Sequence, residues 1–159
     1  MAGELRARLE ALVAEAARAA LSEVGPDLVA VILFGSVARR SPNEEFDIDL
    51  LCIASRLPPG RAARQSRADA IERRWQAGRT ELPRLSLVLR TAAEVEEGFP
   101  LLLDIAREGR PLWGASQATE ILEGWRQRLA RQGARYIRTG ETWHWDLAGD
   151  SATPGRWSL

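Results

Sequence analysis

Residues 33–40, Leu33-Phe34-Gly35-Ser36-Val37-Ala38-Arg39-Arg40, and residues 46–51, Phe46-Asp47-Ile48-Asp49-Leu50-Leu51, decide the reading of this sequence. The first stretch closes a continuous apolar, β-branched run from Leu28 to Phe34, the pattern of a strand buried on both faces. Gly35 ends that run. A glycine leaving a buried strand lets the backbone come close to a ligand, and a helix starting at Ser36 aims free N–H groups at an anion. Phosphate is the natural guest. The second stretch predicts a strand over Phe46 to Ile53, in which residues two apart share a side. Asp47 and Asp49 then present their carboxylates together while Phe46, Ile48 and Leu50 pack underneath. Adjacent carboxylates resist ionising together unless a cation sits between them. Their hard oxygens suit magnesium, which is usually held by one or two carboxylates plus the substrate's own phosphates.

Around this centre the chain reads as alternating helices and strands. Leu5, Leu9, Leu12, Val13, Ala16, Ala20, Leu21 and Val24 recur at helical spacing until Gly25-Pro26. The polar stretch with Ser41-Pro42-Asn43 joins the first two strands, and Pro58-Pro59-Gly60 closes the second. An Arg-rich helix is expected over about Arg61 to Gln76. A third strand follows over Arg84 to Arg90, with Leu85, Leu87 and Leu89 on one face and Arg84, Ser86, Val88 and Arg90 on the other. Short helices are predicted over Ala92 to Glu97 and Phe99 to Arg107, then a long one from Thr119 to Arg138 whose stripe includes Trp125, Leu129, Tyr136 and Ile137. The tail from Glu141 carries three of the six Trp residues and reads as extended. Trp143, Trp145 and Leu147 alternate like an edge strand covering the core, with a stacking platform or protein-docking surface as the functional alternative. Trp75 and Trp113 read as core. The arginines at 61, 64, 67, 73 and 74 read as a solvated helix face.

Composition bounds the chemistry. The 159 residues suit one domain, and 22 basic against 22 acidic residues give no field for general nucleic-acid binding. All the basic residues are Arg, so a lysine phosphate loop and a Schiff-base lysine are excluded. A single Cys52 and a single His144 exclude disulfides, zinc fingers and two-histidine metal sites. Charges interrupt the apolar N-terminal stretch too often for a signal peptide or membrane span. The expectation is a cytoplasmic protein without a membrane partner, its oligomeric state left open.

Ten residues, Val37 to Phe46, separate Gly35-Ser36 from Asp47-Ile48-Asp49. This Gly-Ser, ten residues, Asp-x-Asp pattern resembles the minimal nucleotidyltransferases of the polymerase-beta-like superfamily. The resemblance runs from the first helix to about Trp113 and includes Phe99-Pro100-Leu101-Leu102-Leu103-Asp104-Ile105-Ala106-Arg107-Glu108-Gly109. It implies an α/β (α+β) fold with a small mixed sheet backed by helices, a nucleotidyltransferase core over 1–113, and a C-terminal helix and Trp-rich tail over 114–159 packed on it as a single domain. It also implies magnesium or manganese on Asp47 and Asp49 as catalytic ligands. Gly35 and Ser36 would bind a nucleoside triphosphate, ATP by preference, and Arg39 would either touch it or lie on a helix surface. Some minimal members resemble antitoxins that adenylylate a helical HEPN-type partner, so such a partner is one expectation.

The family pattern also has a third carboxylate on the third strand, and here that position falls on Ser86. The resemblance gives this carboxylate to the ion that activates the acceptor hydroxyl, so activation is the step in question and a catalytically silent nucleotide-binding protein is the alternative. Glu81, ahead of the strand, is a substitute ligand or an ordinary loop residue. Arg84 and Arg90 flank Ser86 and could neutralise the aspartates or hold phosphate. Asp104 reads as a surface or capping residue.

Overall fold

The two apolar runs form the middle of a sheet. Leu28–Phe34 is β1 and Ile48–Ala54 is β2, antiparallel to it, with Leu33 opposite Leu50 and Phe34 opposite Asp49. The computed structural model describes residues 2–39 and 46–147. Ser41-Pro42-Asn43 and Trp157 lie outside the described residues. Leu85–Thr91 is β3, parallel to β2, and Arg110–Trp113 is β4, antiparallel to β1. The resulting mixed sheet has the order β3-β2-β1-β4, as the α/β expectation requires.

Side-chain alternation divides the core in two. Val31, Leu33, Ile48, Leu50 and Cys52 face α1 (Ala2–Val24) and α3 (Arg61–Gln76), where Val13, Ala16, Ala20, Ile71 and Trp75 are buried. Ala30, Ile32, Phe34, Leu51 and Ile53 face α4 (Ala92–Glu97), α5 (Leu101–Glu108) and α6 (Ala115–Arg131). Burying each large side chain is worth about 1.5–3 kcal/mol, so the central strands fix the sheet that presents Gly35 and Asp49. Burial also pushes the Cys52 thiol up to about 12, which makes it a small apolar core residue. The Arg-rich face of α3 is exposed at Arg61, Arg73 and Arg74, as expected, while Arg64 and Arg67 are partly buried. Arg74 and Arg79 pair with Glu23 and Glu15 of α1, and Arg64 pairs with Glu94 at 2.7 Å, the glutamate of the Thr91 capping box.

Four expectations are corrected. β2 begins at Ile48, two residues later than expected, because β1 ends at Phe34 opposite Asp49 and β3 begins at Leu85 opposite Ile48, so Phe46 and Asp47 have no ladder partner on either side. The short strand β4 was not anticipated. Its Pro111 weakens a strand reading, but it lies on the sheet edge, where proline is tolerated. α6 ends at Arg131, seven residues short of the expected Arg138. Gly133 takes φ +70, and the Ala134 N–H donates to Leu129 O at 3.0 Å, the bond that closes a left-handed helix cap. Tyr136 and Ile137 consequently belong to β5 (Arg135–Thr139), which pairs antiparallel with β6 (Thr142–Asp146). Trp75 is core as expected, whereas Trp113 is 36% exposed and Trp143 53% exposed, so neither is a core residue. No helix among the described residues is long and apolar enough to cross a membrane.

Candidate active site

Strand register assembles the site. Asp49 stands opposite Phe34 on one side and beside Ser86 on the other, so three segments distant in sequence meet at one end of the sheet. The chain leaves β1 through Gly35 at φ +73, a conformation that costs other residues dearly. A Cβ there would collide with Asp49 Oδ2 and lie 3.1 Å from its Cγ. Glycine therefore serves twice, for the turn and for close approach. The short helix α2 (Gly35–Ala38) starts at this turn and closes with the Arg39 N–H donating to Gly35 O at 3.1 Å. The Ser36 and Val37 N–H groups have no intrahelical partner in such a first turn.

Asp49 is half-buried, and burial raises its carboxyl above the usual carboxylate range. The neighbouring Ser86 hydroxyl and the Arg39 charge pull it partly back, while Asp47 and Glu108 push it up. Asp47 is exposed in the residue just ahead of β2, close enough for its charge to act on Asp49. Phe46 packs against the core and Ile48 is fully buried, as the alternation predicts. Neither aspartate forms an ion pair among the described residues. Two hard oxygen donors, the inner one disfavoured as a free anion, fit a divalent ion shared with phosphate oxygens. Among the described residues no cluster of three or more Asp, Glu, His or Cys stands ready to hold an ion by itself.

Ser86 lies directly beside Asp49 and offers a hydroxyl there. Glu81 is exposed in the loop before β3 and is not among the charges acting on Asp49. Arg84 is exposed, and the Arg90 guanidinium sits over the Phe99 ring, 5.1 Å from its centroid. Arg39 uses Nη1 to donate to both oxygens of Glu108, at 2.8 and 2.9 Å. Asp104 accepts a hydrogen bond of 2.9 Å from Trp145 Nε1 and so docks the β5–β6 hairpin on α5.

Glu108 is the site residue that sequence reasoning passed over. Its Oε1 also accepts from the Gly35 N–H at 3.0 Å, across 73 residues of chain. Its only sequence signal is membership of the Phe99 to Gly109 stretch.

Solved structures share the fold. A toxin-antitoxin complex with AMP-PNP matches with a TM-score of 0.50 at 19% identity, over 76% of this chain and 92% of that one. A spectinomycin adenyltransferase from Enterococcus faecialis, solved with ATP and spectinomycin, matches with a TM-score of 0.54 at 12% identity, over 70% of this chain and 58% of that one. A sequence comparison with curated proteins gives no significant match. The family model described as "Nucleotidyltransferase domain" matches residues 14–112, from within α1 into β4. With more than half its length under that model and the sheet to go with it, the chain belongs to the nucleotidyltransferase domain family.

Proposed function

We propose that this protein transfers a nucleoside monophosphate from a nucleoside triphosphate, preferably ATP, to a hydroxyl acceptor, with pyrophosphate leaving and magnesium or manganese required. The observation that carries this reading is the meeting of Asp49 with the Gly35 bend, beside Asp47 and without an ion pair among the described residues. Ser36 holds the β- and γ-phosphates through its backbone N–H and hydroxyl, at the close approach that Gly35 allows, while the Gly35 N–H itself is taken by Glu108. Asp47 and Asp49 hold the metal. When bound, the ion supplies charge neutralisation and alignment of the polyphosphate for in-line displacement. The Asp49 carboxyl, raised by burial, becomes fully ionised as it takes up this role.

The acceptor we favour is a side-chain hydroxyl on a helical HEPN-type partner. That choice follows the resemblance in the signature, and a toxin-antitoxin complex with AMP-PNP shares the fold. Nucleoside triphosphate chemistry and the free thiol of Cys52 fit a cytoplasmic setting.

Ser86 favours a second reading. A serine beside Asp49 cannot take a proton at neutral pH as a carboxylate does. In this reading the protein binds the nucleotide and metal but activates no acceptor. Incubation with ATP labelled in the α-phosphate, magnesium or manganese, and a helical partner separates the two. Label transfer that Asp49→Ala abolishes supports the enzyme. Magnesium-dependent ATP binding without transfer supports the silent form, and absence of binding overturns both.

A further inference from the structure

Glu108 has surroundings that helix stability does not explain. It is the last residue of α5, where a carboxylate opposes the helix dipole, and its side chain is only 6% exposed. A carboxylate so placed needs several donors, and it has them. The Gly35 N–H donates at 3.0 Å, Arg39 Nη1 at 2.8 and 2.9 Å, and Arg107 Nη2 at 3.0 Å. Two of these donors belong to the turn that carries Ser36. The third, Arg107, is itself held with its guanidinium 4.0 Å from the Tyr136 ring centroid on the C-terminal hairpin.

We propose that Glu108 is a positioning residue for the triphosphate site, setting the Gly35 turn through its amide and the Arg39 guanidinium through one nitrogen. This rests on the nucleotide-binding reading above. Both Arg39 contacts with Glu108 run through Nη1, which leaves Nε and Nη2 without a partner among the described residues. The Arg39 side chain is 45% exposed and its charge reaches Asp49. Among the described residues nothing else holds the remaining edge of the guanidinium, so it can meet a phosphate oxygen next to the aspartates, and Glu108 fixes its direction. The same carboxylate occupies the Gly35 N–H, so the turn is formed before ligand arrives. Preformed donors spare the ligand the entropy of ordering them. Arg107, between Glu108 and Tyr136, ties this arrangement to the hairpin.

The test compares Glu108→Ala, Glu108→Gln and, as a control, Glu94→Ala, which breaks a similar ion pair with Arg64 away from the site. Two readouts are taken: the amide resonances and hydrogen exchange of Gly35 and Ser36 in the ligand-free protein, and the Kd for Mg-ATP. Glu108→Ala is expected to move the Gly35 and Ser36 resonances, speed their exchange, and weaken Mg-ATP binding by about tenfold or more, the scale of a lost charged hydrogen bond. Glu108→Gln, which keeps an acceptor for the Gly35 amide, is expected to leave that resonance near its place while still weakening Mg-ATP. Glu94→Ala is expected to lower the Tm while leaving both readouts unchanged. Unchanged Gly35 resonances and Kd in both Glu108 variants overturn the proposal, as does an equal response to Glu94→Ala. If the wild-type protein binds no Mg-ATP, the nucleotide reading fails, and the Gly35 amide response still decides whether Glu108 sets the turn.

Discussion

Replacing Gly35 by alanine separates two costs that the structure places on one atom. The backbone cost comes from φ +73, where an L-residue is worse than glycine by about 1–2 kcal/mol. The contact cost comes from the new Cβ against Asp49 Oδ2, which forces the carboxylate out of its rotamer at about 1 kcal/mol. Gly35→Ala is therefore expected to destabilise by about 2–3 kcal/mol, or roughly 4–12 °C in Tm for a chain of this size. In an Asp49→Ala background the nearest atom left is Asp49 Cβ at 3.4 Å, an ordinary contact. Only the backbone cost remains there, so the same substitution should cost about 1–2 kcal/mol. Urea unfolding of the four proteins gives the coupling as the difference between the two costs. Equal costs in the two backgrounds would falsify the claim that the Asp49 carboxylate rests against this bend.

Three further outcomes are expected. Because burial raises the Asp49 carboxyl, its ionisation works against folding: the stability is fully present below the unfolded carboxylate value of about 4 and is lost as pH rises through the higher folded value. Asp49→Asn should accordingly raise the Tm of the ligand-free protein near neutral pH, with the gain disappearing in acid, and a pH-independent difference would contradict this. Ser86→Asp adds a carboxylate beside Asp49 and should lower the ligand-free Tm, with magnesium or manganese restoring it; thermal melts with and without metal check this, and a metal-independent loss argues against a cation site. Trp145→Phe removes the donor to Asp104 and should loosen residues 135–146 by about 0.5–1.5 kcal/mol. Hydrogen exchange reads this as faster exchange in the hairpin alone, and acceleration throughout the sheet would show that the hairpin is not a separate docked unit.

The sheet centre was readable because β1 and the part of β2 beyond Asp49 are buried on both faces and so carry apolar runs, and the site was readable because its parts sit at their ends. β3 gave itself away by alternation, and its register with β2 puts Ser86 beside Asp49. The C-terminal hairpin was misread because Tyr136 and Ile137 happen to continue the helical spacing of α6, while the stop signal is the single glycine at 133. β4 was missed because four residues containing a proline have too little pattern to reveal an edge strand. Glu108 could not be found from spacing at all. Its partners Gly35 and Arg39 lie 73 and 69 residues away, and only the packing of α5 against β1 brings them together.

Manganese titrated with ATP into isotopically labelled protein tests the metal–nucleotide site most directly, since the ion broadens the amide resonances nearest to it. The expected result is early loss of the Gly35, Ser36, Asp49 and Ser86 signals, requiring ATP and absent when Asp47 and Asp49 are both changed to Asn. Broadening centred elsewhere, or unchanged in that double variant, would contradict the account.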